Sequence, residues 1–158
     1  MAITADQYRQ LDATALADAI RQQQTSAEAV LEIAAELIEE WQPRINAITC
    51  LDLDSAHRQL KKLSPEAPFA GVPILLKDIQ PHNFMGMPTS DGCAAHRPRF
   101  CNQHSHRVSR WVKACFIVRG KTSTPEFGLK ATTEPQAFGP CRNPWHPDYT
   151  AGGSSGGS

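Results

Sequence analysis

The octapeptide at residues 71–78 reads GVPILLKD, an apolar run that ends in Lys77 and Asp78. The run is short and continuous, and polar residues follow it, which is typical of a strand buried on both faces. Burial disfavours the charged form of a lysine and lowers its pKa, so Lys77 is a candidate general base. The alternative is that its methylene stem covers apolar surface while its ammonium group reaches water or pairs with Asp78.

Helices and strands alternate on both sides of this strand. Residues 25–28 form a capping box, and Pro43 is expected to end the helix that follows it. Residues 85–98 and the chain after Gly120 are predicted to be mostly loop. Apolar residues at the spacings of helices and strands predict helices at 11–24, 27–41, 54–63 and 105–114, and strands at 47–51, 74–76 and 116–118. This alternation is typical of an α/β fold with a largely buried sheet.

Arg119 conflicts with the strand that precedes it. It follows the apolar residues Phe116 to Val118, at a position where an apolar side chain would suit the end of a buried strand. A buried charge without a partner is expensive. The sequence therefore marks Arg119 as a weak point of the predicted sheet.

The chain ends in the segment GGSSGGS at residues 152–158. Glycine and serine repeats are typical of flexible linkers, and this is one interpretation of the segment. The preceding residues 138–150 are rich in turn-forming and aromatic residues, which favours an ordered loop. Glycines allow close backbone approach, and serine hydroxyls can donate or accept a proton, so the loop is a candidate active-site element.

Four segments in this order resemble the amidase signature family of serine hydrolases: GVPILLKD, GKTSTPEFG at 120–128, FGPCRNPW at 138–145 and GGSSGGS. The resemblance runs from about residue 47 to residue 158. It implies an α/β fold that is the N-terminal part of the amidase signature fold, a mixed sheet covered by helices, in truncated form. Residues 1–158 would then be a partial amidase domain, with an N-terminal helical segment at 1–46 and the start of the catalytic core at 47–158.

The resemblance also implies a Ser–cis-Ser–Lys triad that hydrolyses carboxamide C–N bonds. Lys77 matches the catalytic lysine, and Ser154, after a non-proline cis peptide bond, matches the middle serine that relays a proton. The nucleophilic serine and the oxyanion donors of relatives lie further along the chain than Ser158. Ser155 and Ser158 are poor substitutes because they share the loop of Ser154, so the chain is predicted to be inactive alone.

The substrate implied by the resemblance is a small-molecule amide, bound by the full-length form. Gly128 matches a position whose backbone lines the substrate site in relatives, and Ser154 would also contact substrate. A simple turn glycine is an equally good interpretation of Gly128. No cofactor and no metal are implied.

Composition limits the partners that the sequence predicts. The 16 basic and 16 acidic residues cancel, which gives no reason to expect nucleic acid or an anionic membrane as partner. The N-terminus has no signal-peptide pattern, and no apolar stretch approaches the ~20 residues of a membrane span. A cytoplasmic location is expected, and the five cysteines are predicted to be reduced thiols.

Two other hypotheses stay open at this point. The chain could be a non-catalytic remnant or an interaction fragment, stabilised as a homo-oligomer or by a complementing chain, because part of a sheet exposes edges and apolar faces. It could also be a zinc-binding module, with ligands from Cys93, His96, Cys101 and His104. A phosphate-binding loop at Lys121 is rejected, because the first glycine of that motif is missing.

Overall fold

A three-stranded sheet forms the centre of the topology in the computed structural model, which describes residues 3–158. Its strands are β1 (Ile48–Leu51), β2 (Pro73–Lys77) and β3 (Ile117–Thr122), in the spatial order β1-β3-β2. β1 is antiparallel to β3. β3 is buried along its whole length, as expected of a central strand. The predicted α/β class is confirmed, and β3 extends beyond the predicted strand at 116–118.

The helix predicted at 11–24 is present but shorter, at Ala13–Arg21, and a separate helix at Ala5–Gln10, which the sequence analysis did not predict, precedes it. Leu11 is extended, and the Asp12 side chain accepts a hydrogen bond from the backbone N–H of Ala15 at 2.8 Å. Asp12 thus caps a new helix. The helices are α1 (Ala5–Gln10), α2 (Ala13–Arg21), α3 (Ala27–Ile45), α4 (Leu53–Leu60) and α5 (His106–Lys113), with 3₁₀ turns at Ala94–His96 and Glu126–Gly128.

Helix α3 continues past the proline that was expected to end it. Pro43 lies inside the helix, which ends at Ile45, and the Asn46 N–H still donates to the Gln42 carbonyl at 2.9 Å. A proline in the last turn removes one backbone donor without preventing the neighbouring bonds. At the other end, the Ser26 hydroxyl accepts from the Ala29 N–H at 3.1 Å, so Ser26 provides the cap.

Residues after Gly120, predicted to be mostly loop, also contain a β-hairpin. β4 (Arg142–Asn143) pairs antiparallel with β5 (His146–Thr150). Every residue of β5 is exposed, including Tyr149, and Trp145 in the turn is 93% exposed. A strand without a buried face has no apolar alternation, which explains why the sequence pattern did not reveal it.

The chain divides into two compact units that interleave along the sequence. The first comprises residues 1–40, 53–74 and 110–119, and the second comprises 41–52, 75–109 and 120–158. The predicted division into an N-terminal helical segment at 1–46 and the start of a catalytic core at 47–158 describes the order of elements along the chain and not compact units. It stays a prediction. None of the helices within residues 3–158 is long and apolar enough to cross a membrane.

The first unit has two apolar clusters. One contains Leu16, Ala17, Val30 and Val72, and the stacked rings of Phe69 and Phe116 pack against it. The other contains Leu31, Ala56 and Ile117. The Gln59 side chain links α4 to β3, since its amide group donates to the Val118 carbonyl at 2.7 Å and accepts from the Val118 N–H at 3.0 Å.

Arg119 lies within this unit and is 1% exposed. Its Nη1 donates to the Leu31 carbonyl at 3.4 Å, whereas its Nε and Nη2 have no hydrogen-bond partner in the described part of the chain. Burial lowers the pKa of the guanidinium. The sequence predicted that Arg119 would be a buried charge, and the structure confirms this, with no carboxylate partner among the described residues. Such a charge destabilises the fold.

Replacing this charge should therefore stabilise the protein. We expect Arg119→Leu to raise the free energy of unfolding by about 2 kcal/mol and to raise Tm, because it removes the desolvation cost and suits the apolar surroundings. Thermal unfolding followed by circular dichroism measures the change. Arg58→Leu on the exposed surface of α4 is the matched control and should change stability by less than about 0.5 kcal/mol. A lower Tm for Arg119→Leu than for the control would contradict this interpretation.

Candidate functional site

The site is built around Lys77, the last residue of β2. Leu76 before it is 2% exposed and anchors the strand, and alternation along the strand directs the Lys77 side chain away from that contact. Lys77 Nζ donates a hydrogen bond to Ser154 Oγ at 2.7 Å. Burial lowers the pKa of Lys77. A lowered pKa favours the neutral amine, which is the form of a lysine that can accept a proton from a hydroxyl.

Asp78, next in the chain, does not pair with Lys77. Its carboxylate accepts hydrogen bonds from the Ser90 N–H at 2.8 Å, from the Ser90 hydroxyl and from Thr49 Oγ1 at 3.3 Å. Among residues 3–158, no ion pair joins Lys77 to any carboxylate. The sequence alternative in which Asp78 neutralises Lys77 is therefore wrong.

The loop that carries Ser154 is packed and is not a flexible linker. The Gly153–Ser154 peptide bond is cis, as the resemblance implied. A Cβ on Gly153 would lie 2.9 Å from the Ala131 carbonyl carbon, and one on Gly157 would lie 2.4 Å from the Ser123 nitrogen. The loop therefore needs glycine at both positions, because its backbone lies directly against other backbone.

Two threonines hold this loop through its backbone. Thr133 is completely buried, and its hydroxyl donates to the Gly152 carbonyl at 2.8 Å while accepting from the Gly156 N–H at 3.1 Å. Thr124 Oγ1 donates to the Ser154 carbonyl at 3.1 Å. The sequence analysis missed both residues, since a threonine inside a loop has no pattern that would distinguish it.

Gly128 lies beside the serine. A Cβ at this position would be 3.8 Å from Ser154 Oγ and 2.8 Å from the side chain of Ile79, and its φ of +69° also favours glycine. The preceding Phe127 has a positive φ of 53°, and its N–H donates to the Asp91 carbonyl at 2.7 Å. The backbone of Gly128 thus lies close to Ser154 Oγ, which suits the predicted substrate contact at Gly128.

The other serines of the loop do not join this arrangement. Ser155 and Ser158 are exposed, and the Ser158 N–H donates to the Ser155 carbonyl at 3.1 Å. Within residues 3–158, no second serine hydroxyl is hydrogen-bonded to Ser154 or to Lys77. The described residues therefore bring Lys77 and Ser154, the predicted base and proton relay, together, and no second serine hydroxyl is bonded to either of them.

The zinc hypothesis is not supported by the geometry. His96 Nδ1 lies 3.2 Å from the Asp91 carboxylate, Cys101 Sγ donates to Thr89 Oγ1 at 3.3 Å, and His104 Nδ1 accepts from the Met85 N–H at 3.1 Å. No group of three or more His, Cys, Asp or Glu side chains that could hold a metal ion occurs between residues 3 and 158. The spacing of Cys93, His96, Cys101 and His104 was therefore misleading, because the side chains of the last three are directed to separate partners.

The geometry agrees with a comparison against known families, in which the sequence profile of the Amidase family matches residues 29–158. The chain belongs to the amidase signature family. A 6-aminohexanoate-cyclic-dimer hydrolase of Paenarthrobacter ureafaciens is 39% identical over 155 residues, covering 93% of this chain and 30% of the hydrolase. A lipoamidase of Enterococcus faecalis is 32% identical over 152 residues, covering 96% of this chain and 21% of the lipoamidase.

Solved structures give the same assignment. A 6-aminohexanoate cyclic dimer hydrolase, determined as a complex with its substrate, superposes on this amidase chain with a TM-score of 0.88 at 37% identity. The match covers 94% of this chain and 30% of that structure. The chain therefore has the fold of one part of an amidase signature enzyme and spans about 30% of the length of that relative.

The threonine contacts generate a testable prediction. Thr133→Val keeps the shape of the side chain but leaves the Gly152 carbonyl and the Gly156 N–H without their partner, so we expect it to lower the free energy of unfolding by about 1–3 kcal/mol. Thr133→Ser keeps the hydroxyl and is the matched control. Urea unfolding measures both variants. If Thr133→Val is as stable as Thr133→Ser, the hydroxyl does not hold the loop.

Proposed function

We propose that this chain supplies the base and the proton relay of an enzyme that hydrolyses carboxamide C–N bonds. The observation that carries the proposal is the 2.7 Å hydrogen bond between Lys77 Nζ and Ser154 Oγ, formed where burial lowers the pKa of Lys77. Lys77 acts as the base of a Ser–cis-Ser–Lys triad, and Ser154 transfers the proton. The nucleophilic serine of that triad lies outside residues 1–158.

The proposed proton path uses the hydrogen bond between Lys77 and Ser154. Neutral Lys77 accepts the proton of Ser154 Oγ while Ser154 Oγ accepts the proton of the nucleophilic serine. The nucleophile attacks the amide carbonyl, and the leaving amine takes the proton back along the same path. Water then attacks the acyl-enzyme and returns the hydroxyl. Backbone N–H donors that stabilise the oxyanion also have to come from outside this segment.

The substrate class is a small-molecule amide. Relatives are named for a cyclic dimer of 6-aminohexanoate and for lipoamide, and both names denote amides. The half-buried backbone of Gly128 lies beside Ser154, and this proximity supports substrate binding at this end of the site. Gly128 and Ser154 are thus the proposed substrate contacts of the described residues.

A second candidate function is that of a non-catalytic piece that binds a complementing chain or a second copy of itself. Two observations favour it: no nucleophile joins Lys77 and Ser154, and large apolar side chains are exposed, with Trp145 at 93% and Leu129 at 82%. Exposed apolar residues that lie close together mark interaction surfaces. The 158-residue chain alone is accordingly proposed to have no amide turnover.

A fusion separates the two candidates. Residues 1–158 are joined to the part of the Paenarthrobacter ureafaciens hydrolase that they do not match, and amine release from the 6-aminohexanoate cyclic dimer is followed with fluorescamine. We expect turnover by the fusion and none by the 158-residue chain. Lys77→Ala and Ser154→Ala should lower kcat/KM by about 10²–10⁴-fold, because each breaks the proton path.

The Lys77 and Ser154 variants each have a matched control. Lys130→Ala removes an exposed lysine, and Ser155→Ala removes the neighbouring serine of the same loop, so both should retain activity. Turnover by the 158-residue chain alone that is lost in Lys77→Ala would place the nucleophile within the chain. Equal turnover by the fusion and its Lys77→Ala variant would refute the role of Lys77.

A further inference from the structure

An aspartate outside the proposed proton path links two segments of the site. Asp91 is 6% exposed and has a positive φ of 54°, which is uncommon for residues other than glycine, although aspartate tolerates it. Its Oδ1 accepts a hydrogen bond from the Gln80 N–H at 2.9 Å, and its backbone carbonyl accepts one from the Phe127 N–H at 2.7 Å. One residue thus joins the segment that follows β2 to the turn that carries Gly128.

The carboxylate of Asp91 is held from several directions. Its Oδ2 accepts a hydrogen bond from Arg99 Nη2 at 2.6 Å and lies 3.2 Å from His96 Nδ1. Arg99 Nη2 also donates to the Thr89 carbonyl at 3.2 Å. Together with the bond from the Gln80 N–H, these contacts fix the direction of the side chain. An uncommon backbone conformation persists where the surroundings over-determine it, and these contacts do so for Asp91.

The next residue brings the same loop against the backbone before the turn. A Cβ on Gly92 would lie 2.6 Å from the Thr124 carbonyl oxygen and 2.9 Å from the Pro125 carbonyl carbon. Thr124 in turn donates through Oγ1 to the Ser154 carbonyl at 3.1 Å. The loop of Gly92 therefore packs directly against the backbone that holds Ser154.

The turn that carries Gly128 needs external support. Phe127 has φ 53° and ψ 17°, a left-handed conformation that is costly for a bulky side chain. Its ring meets the His96 ring edge-on, with the centroids 5.6 Å apart. A Cβ on the following Gly128 would lie 3.8 Å from Ser154 Oγ. The hydrogen bond to the Asp91 carbonyl thus holds a strained residue directly before the backbone that lies beside the serine.

We propose that Asp91 is a positioning residue, whose anchored carboxylate fixes its own carbonyl and thereby holds the backbone of Phe127 and Gly128 in place for substrate. The inference rests on the proposed substrate contact at Gly128 and adds the residue that keeps that contact in position. The anchor is the N–H of Gln80, which lies just after the strand that carries the proposed base.

Amide hydrogen exchange in the folded 158-residue chain tests the proposal without substrate. Nitrogen-15 NMR follows the Phe127 N–H, whose acceptor is a backbone carbonyl that every variant retains. The Cys141 N–H, bonded to the Thr133 carbonyl at 2.8 Å in the same unit, is the internal reference. The variants are Asp91→Ala, Asp91→Gly and Asp91→Asn, and Glu134→Ala removes an exposed carboxylate as the matched control. Circular dichroism verifies that each variant is folded.

Loss of the Asp91 side chain should release the turn locally. In Asp91→Ala and Asp91→Gly the Phe127 N–H should exchange about tenfold faster, because the carbonyl that binds it is no longer fixed. The Cys141 N–H should stay within about threefold of its wild-type rate. Asp91→Asn should keep the wild-type rates, since asparagine tolerates a positive φ and its Oδ1 can still accept from the Gln80 N–H. Glu134→Ala should change neither amide.

A merely structural role gives a different pattern. If removal of the side chain only loosens the fold, the Phe127 and Cys141 amides accelerate together, and that result would overturn the proposal. Unchanged exchange at Phe127 in Asp91→Gly would also overturn it, because glycine keeps the positive φ without the anchored side chain. The same holds if Asp91→Asn accelerates Phe127 as much as Asp91→Ala does. If Asp91→Ala does not fold, Asp91→Gly and Asp91→Asn decide.

The fusion to the hydrolase gives a second readout, which separates this proposal from the proposed function. There Asp91→Ala should raise KM about tenfold and change kcat by less than about threefold, because Lys77 and Ser154 stay in place. Asp91→Asn should restore KM. A lower kcat with an unchanged KM would contradict a role in substrate positioning. A fusion without turnover counts against the proposed function, and the exchange rates then decide the role of Asp91.

Discussion

The hydrogen bond between Lys77 and Ser154 joins two parts of the chain that lie 77 residues apart in sequence, and the rest of the site depends on it. On one side it needs a buried strand to hold the lysine, which Leu76 and the neighbouring β3 provide. On the other it needs a loop whose backbone is fixed, which Thr133 provides through two hydrogen bonds. Proton transfer between Lys77 and Ser154 requires both the buried strand and the fixed loop, since Nζ and Oγ must stay within hydrogen-bond distance.

Buried charged side chains have three different arrangements of contacts among residues 3–158. Asp91 is paired with Arg99, Lys121 and Asp78 are bound by hydroxyl, carbonyl and backbone N–H groups, and Arg119 has one long hydrogen bond among the described residues. The first two arrangements lie in the same unit as Lys77 and Ser154, and the third belongs to the other unit. A buried charge whose donor groups lack partners costs stability, which singles out Arg119 among these groups.

The sequence predicted those elements that have a strong local pattern. The continuous apolar run was sufficient to predict the strand β2, and the helical spacing of apolar residues was sufficient to predict the helix α3. The four motifs indicated that Lys77 and Ser154 belong to one site. The hairpin at 142–150 escaped prediction because β5 is exposed throughout, and the break before α2 depended on a single capping side chain, that of Asp12. The contacts of Thr133 and Lys121 could not be predicted, because they are made to residues distant in sequence. The zinc hypothesis failed for the same reason, since spacing along the chain does not give side-chain direction.

The protonation state of Lys77 tests the central claim most directly. Nitrogen-15 NMR of the lysine side chains, titrated from about pH 6 to about pH 11 in the wild-type chain, follows each amine separately, and Lys77→Arg assigns the signal. The account predicts that Lys77 loses its proton at a pH below the ordinary range of a lysine side chain, because burial lowers its pKa. Titration of Lys77 within the ordinary range would show a solvated ammonium group, and would contradict its assignment as the base.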